Sequence, residues 1–247
     1  MPSAKVEPKS IAETVVNNAE KNAVKVVFSD EHMYVVLKPY NQCFHTNDEH
    51  QGFVQAVAAT FPEEKLYPVH RLDHVTSGLM IFARSGEANR ELSQLFFLHK
   101  IEKYYLALSD KKPRKKQGKI SGDMVKSRGG SYKLLRSRNN PALTHFFSAK
   151  VAGDRALWLF VLRPKTGKTH QLRVALKSIG SPVLGDARYK GSPADRAYLH
   201  AYKLRFTLFD KVYSISDADI LGQYFSSLKT LQSSFAWVMP ETLPWPK

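Results

Sequence analysis

The chain has one cysteine, Cys43, in 247 residues, so no internal disulfide can form and a reducing compartment is the expected setting. Cys43 itself reads as a small, partly buried apolar residue. Long apolar runs are missing too: none approaches the roughly 20 residues that a membrane-crossing helix needs. The opening Met1-Pro2-Ser3-Ala4-Lys5 leads into no apolar signal-peptide core. A soluble, cytoplasmic, monomeric protein is therefore the expectation. No internal repeat and no low-complexity linker interrupts the sequence. One continuous domain over residues 24–247 is expected, preceded by a polar arm or short helix over 1–23.

Acidic side chains are scarce, 22 against 37 lysines and arginines, which leaves a formal charge of +15. Its distribution says more than its size. From Lys100 to Arg138 there are 13 basic and 3 acidic residues, so this stretch alone carries +10. Such a concentration suits a polyanion, because each phosphate contact displaces a condensed counterion. A membrane surface is the competing polyanion. The run Lys111-Lys112-Pro113-Arg114-Lys115-Lys116 reads either as a phosphate-binding patch or as a solvated hairpin tip.

Apolar, β-branched runs bounded by turn residues predict strands over Val24–Phe28, Met33–Leu37, a stretch ending at Val69, Leu79–Phe82, Ile101–Leu108, Pro141–Val151, Ala156–Leu162 and Tyr198–Phe206. Helical spacing is seen at Phe53, Ala56, Val57 and Phe61, with Pro62 as a stop. It recurs over Glu87–His99, weakly over 11–23, and around Tyr224–Val238. A further helix is expected with Thr169 as its cap, Leu172, Leu176 and Ile179 as its buried stripe, and Gly180 at its end. Arg173 then lies in an early turn, where the helix dipole disfavours a cation unless it answers a fixed anion.

Three chemistries lack their parts. Gly167-Lys168-Thr169 lacks the glycine that a phosphate-binding loop needs five residues earlier, where Leu162 stands. No second cluster with metal-ligand spacing accompanies His70-Arg71-Leu72-Asp73-His74, so a metal-dependent phosphoesterase is the weaker reading. No serine-histidine-aspartate elbow is evident. What remains is a carboxylate, Asp73, in a polar loop beside cations, with a tyrosine and an arginine elsewhere in the chain.

The segment His70-Arg71-Leu72-Asp73-x-x-Thr76-Ser77-Gly78-Leu79 resembles the signature loop of the RluA-type pseudouridine synthases. The likeness extends through Lys38-Pro39 with His45, Lys103-Tyr104-Tyr105-Leu106-Ala107, Thr166-Gly167-Lys168-Thr169-His170-Gln171-Leu172-Arg173, Gly185-Asp186-x-x-Tyr189 and Leu199-His200-Ala201. Departures occur at Tyr40-Asn41, Lys168, Ala175 and Ser109-Asp110. They fall at the periphery of the site and on the RNA-facing loop, where they bear on substrate choice more than on catalysis.

The resemblance implies an α/β (α+β) fold with a mixed, mostly antiparallel sheet flanked by helices. It implies isomerisation of uridine to pseudouridine in a stem-loop of rRNA or tRNA, with no cofactor and no metal. Asp73 would be the essential carboxylate, as nucleophile or as base toward the sugar. A free aspartate, with a pKa of about 3.9, is ionised in water, but burial raises that value, so a fixed cation is needed. Arg173 matches the family position for it. Tyr105 would take the proton from carbon 5, and the opposite-facing Tyr104 would not. Arg71 would fill the space left by the extruded base. His70, Thr76, Lys103, Lys111, Lys112, Arg114, Lys115, Lys116, Lys168, His170 and Gln171 are the remaining expected RNA contacts. The rival of another class is a catalytically silent RNA-binding or ribosome-assembly protein on the same scaffold.

Overall fold

Residues 33–38 read Met-Tyr-Val-Val-Leu-Lys and residues 77–83 read Ser-Gly-Leu-Met-Ile-Phe-Ala. In the computed structural model both runs are strands, paired antiparallel: β2 (Met33–Lys38) and β4 (Ser77–Ala83), with β1 (Lys25–Ser29) outside β2. Every residue of β4 is buried, which is why its sequence is a continuous apolar run rather than an alternating one. The structure describes residues 24–46, 51–151, 156–217, 220, 222–226 and 239–246. The helix expected over 11–23 and the joint expected over 152–155 lie outside them. So does most of the helix expected over 224–238, of which only the part in α4 (Gln223–Ser226) is described.

The middle of the chain supplies β3 (Tyr67–Pro68), β5 (Glu102–Ser109), β6 (Gln117–Gly122), β9 (Ala142–Val151) and β10 (Leu157–Pro164), and the last third supplies β11 (Leu199–Leu208) and β12 (Lys211–Ser216). They form one sheet in the order β1-β2-β4-β11-β5-β10-β9-β6, with β12 on β11 and β3 on β4. Among the described residues only the β4–β11 pairing is parallel. A separate hairpin, β7 (Met124–Lys126) with β8 (Tyr132–Leu134), stands off the sheet. The expected mixed, mostly antiparallel sheet with flanking helices is what the structure has.

Helices α1 (Phe53–Thr60), α2 (Gly86–Phe97) and α3 (Gln171–Ser178) dock on it through short apolar stripes. α1 buries Phe53 and Val57, and α2 buries Ala88 and Leu92 behind a Ser85 cap whose hydroxyl accepts from the Ala88 N–H at 3.1 Å. Two boundaries differ from expectation. The stretch ending at Val69 makes only a two-residue strand, because Pro68 has no N–H and the His70 ring nitrogen accepts the Ile81 N–H at 2.9 Å. α3 is capped not by Thr169 but by His170, in the left-handed region at φ 57°, and no side chain caps it. Its other end is as expected: Gly180, φ 80°, donates to Lys177 O while Ser181 donates to Leu176 O.

Gly78 is a glycine that the architecture cannot replace. It has φ 119°, and a Cβ there would meet the Ala201 carbonyl oxygen of β11 at 2.3 Å. Gly78→Ala is expected to cost about 2–5 kcal/mol, the sum of backbone strain and overpacking, read as a lowered urea midpoint at unchanged m. A loss under about 0.5 kcal/mol would show that β11 can give way.

Candidate active site

Asp73 lies in the turn between β3 and β4, closed by a Thr76 N–H bond to the Asp73 carbonyl at 3.1 Å. The turn is tied down from below. Lys38, at the end of β2 and 1% exposed, donates its ammonium to the carbonyls of Pro39 (2.9 Å), His74 (3.2 Å) and Thr76 (2.9 Å). One residue on, Ser77 Oγ lies 2.8 Å from His200 Nδ1 and accepts from Arg196, while His200 Nε2 stands 3.1 Å from Asp217. The loop is thus anchored to β2 on one side and to β11 on the other.

Arg173 reaches Asp73 from the first turn of α3. It is 4% exposed, and its Nη1 donates to Asp73 Oδ2 at 3.2 Å. Its stronger partner is Asp186, 1% exposed, which accepts from Nε at 2.7 Å and from Nη2 at 2.9 Å. Burial works against the guanidinium charge, but the Asp186 bonds and the two carboxylates outweigh it and raise the Arg173 pKa above its usual value. Tyr189 lies beneath the guanidinium at 4.9 Å from its ring centre, and its hydroxyl sits 2.8 Å from His170 Nδ1. The fixed anion that the position of Arg173 in α3 calls for is a pair of aspartates.

Tyr105, on β5, faces the same cavity, as does Leu199 of the adjacent β11. Burial, then the charge of Asp73, pushes its phenol well above the ordinary range, so it rests as a neutral hydroxyl. Tyr104 turns to the opposite face, bonding Glu102 at 3.0 Å and packing on Trp245. The cavity holds about 510 Å³, within the range of ligand pockets. Asp73, Tyr105 and Arg173 line it together with Arg71, Thr76, Lys103, Lys168 and His170.

Other expected RNA contacts are placed differently. His70 lines the cavity, but its Nε2 is committed to Ile81, and burial with the nearby Lys103 pushes its pKa down to about 3, so it offers no positive charge. Gln171 also lines the cavity but uses its amide fully within the protein. Its oxygen accepts from Thr166 Oγ1 (2.7 Å) and Lys168 N (3.0 Å), and its nitrogen donates to Leu143 O and Thr144 Oγ1 (both 3.0 Å). Gln171 is therefore a staple between α3 and the β9–β10 pair.

Lys111, Lys112, Arg114, Lys115 and Lys116 are exposed in the loop beyond Ser109, and none lines the cavity. Ser109 is four residues past Tyr105, about 13 Å along the strand. The β7–β8 hairpin, carrying Lys126 and Lys133, does approach the site: Tyr132 N donates to the Tyr189 hydroxyl at 3.0 Å and its ring meets His170 edge-on. Sequence reasoning assigned no role to Asp186 or Tyr189, although the motif that contains both was visible, and it did not see the Lys38 clamp. Among the described residues no group of three His, Cys, Asp or Glu side chains is placed to hold a metal ion, and no helix is long and apolar enough to cross a membrane.

The clamp has a pH signature. Burial pushes the Lys38 pKa down to about 8, against the pull of Asp73. Turnover is expected to fall as pH rises through that value, because the neutral amine donates fewer bonds to the loop. Stability should not fall with it. Between about 8 and the ordinary 10.5 the unfolded chain holds a proton that the folded chain has released, so this group favours the folded state as pH rises. A pH–rate profile flat to pH 10 would remove Lys38 from the mechanism.

A family described as RNA pseudouridylate synthase matches residues 32–178. A Haemophilus influenzae protein, described as an uncharacterized RNA pseudouridine synthase, is 46% identical over 204 residues, 82% of this chain and 90% of that one. The dual-specificity RNA pseudouridine synthase RluA of Escherichia coli is 32% identical over 192 residues, 74% of this chain and 86% of that one. The solved structure of human RNA pseudouridylate synthase domain containing 1 shares the fold, with a TM-score of 0.70 at 20% identity, over 89% of this chain and 98% of that one.

Proposed function

The chain belongs to the RluA-type RNA pseudouridine synthases, and from that premise we propose that it isomerises uridine in an rRNA or tRNA stem-loop with Asp73, Tyr105 and Arg173 as its catalytic residues, acting as a monomer without a cofactor. The observation that carries the assignment is the Asp73–Arg173–Asp186 chain opening into the same cavity as Tyr105. Arg173 is oriented by its two-pronged bond to Asp186, which leaves Nη1 for Asp73.

The reaction breaks the bond between the sugar and ring nitrogen 1, turns the uracil in place and joins the sugar to carbon 5. Asp73 acts on the sugar as nucleophile or base, and either role requires its carboxylate form. Carbon 5 must then lose its proton. Tyr105 rests as a phenol, so it accepts that proton in step with passing its own to the Asp73 carboxylate, the charge that acts on it, and Asp73 gives the proton up to water as product leaves. Extruding the uridine costs a few kcal/mol, and Arg71, exposed at the cavity mouth, is placed to fill the gap in the stack. Phosphates around the target meet Lys103, Lys168 and the β7–β8 hairpin.

The test is release of tritium from carbon-5-labelled uridine in separate unmodified rRNA and tRNA pools. Release from one pool identifies the substrate class. Release from neither, with folded protein, would overturn the assignment.

A further inference from the structure

Phe97 is the most exposed large hydrophobic side chain among the described residues, at 82%, and it lies on the rim of the catalytic cavity beside Arg71, His99 and Lys103. Scattered exposed apolar residues are ordinary; Phe97, followed by the half-exposed Leu98, is held rigidly at the mouth of the cavity. Three contacts fix its position. Phe96 stacks on His70 at 4.5 Å, tying the end of α2 to the catalytic loop. His99 N donates to Phe96 O at 3.1 Å, and Lys100 N donates to Leu95 O at 2.9 Å, which closes the helix in the double bond of a glycine-ended helix. His99 occupies the glycine position with φ 56°, a left-handed conformation that non-glycine residues rarely enter. The ring of Phe97 is thus presented to solvent from a backbone that cannot swing away.

We propose that Phe97 is a stacking platform for a nucleobase next to the target uridine, and so a specificity-determining residue of this enzyme. The inference rests on the functional reading above. Extruding the target strips one face of its neighbour, and sequence-selective recognition of RNA commonly offers an aromatic side chain to such an unstacked base. The surroundings point to a nucleotide rather than to an apolar protein surface. Arg71 is exposed and lines the cavity with Phe97, and the exposed Lys100 follows His99 in the chain, so a ligand with a flat apolar face and a flanking phosphate fits. A phenyl ring also loses little rotational freedom on stacking.

Phe97→Ala and Phe97→Trp, assayed by tritium release on the same two RNA pools, test this. KM should rise about tenfold for the alanine variant with kcat within twofold, and the tryptophan variant should keep the native KM. The melting midpoint should not move, because the ring is exposed. The introduced indole should lose fluorescence when either pool that serves as substrate is added. An unchanged KM in Phe97→Ala, or a fall in kcat together with the melting midpoint, would overturn the platform. No release by the native chain would instead overturn the functional reading, and the fluorescence titration would still report whether RNA stacks on this rim: loss of signal sustains the platform and an unchanged signal refutes it.

Discussion

Asp73→Asn is expected to lower tritium release by at least about a thousandfold while leaving the protein folded and able to bind RNA. Asparagine keeps the size and the hydrogen-bonding reach of the side chain but removes the negative charge and the nucleophilic or basic oxygen. Loss of a positioned acid–base group alone removes about 10²–10⁴ in rate, and loss of a nucleophile removes at least as much. The fold should survive because the change orphans no buried charge: Arg173 keeps both prongs on Asp186. Single-turnover release with enzyme in excess checks the chemistry without product release, and a melting curve checks the fold. More than a tenth of native turnover in the variant would assign the chemistry to another group.

Removing Asp186 should give the opposite pattern, a large loss of stability from a residue outside the cavity lining. Asp186→Ala leaves the guanidinium of Arg173 at 4% exposure with the single 3.2 Å bond to Asp73 as its one remaining carboxylate contact. Breaking one partner of a buried pair costs about 3–5 kcal/mol, because the remaining charge is stranded in a poor solvent. For a chain of this size that is roughly 6–20 °C in Tm. Turnover should fall too, since Nη1 would no longer be aimed. The paired change Arg173→Met with Asp186→Leu separates the two effects. It buries no charge, so it should recover most of the stability while remaining inactive. A double variant as unstable as Asp186→Ala would mean that packing around Tyr189, not the ion pair, is what the loop depends on.

What the sequence shows and what it hides divide along a physical line. Period and polarity are local, so β2, β4 and β5, the stripe of α3 and its Gly180 end are all readable residue by residue. Alternation also says that only one of Tyr104 and Tyr105 can face the site, but it is the Lys-x-Tyr spacing shared with the family, not the period, that selects Tyr105. The misplaced cap of α3 shows the limit of local rules: Thr169 is the better capping residue, yet Gln171 is anchored to Leu143 and Thr144 across the sheet, and that anchor moves the helix start to His170. The motif that holds Asp186 is visible, but its role is hidden for a related reason. Nothing near it in sequence says that it will meet Arg173 thirteen positions earlier from inside the core. Charge misleads most. Lys111–Lys116 and the residues of the β7–β8 hairpin read as one basic block, but β6 lies between them and returns the chain along the sheet, so only the second group comes back toward the cavity.

The position of β11 in the sheet sets an order on how the enzyme comes into being. β4 and β5 follow each other in the chain, yet they do not touch in the ladder; β11, made about a hundred residues later, is inserted between them. Until it arrives, the half carrying Asp73 and the half carrying Tyr105 are two separate platforms with unpaired edges. Their union waits for a strand that leaves the ribosome long after both, and closing such distant pairings is slow. A nascent chain with a complete signature loop therefore has Asp73 without Tyr105 fixed beside it, and the assembled site waits for the last central strand.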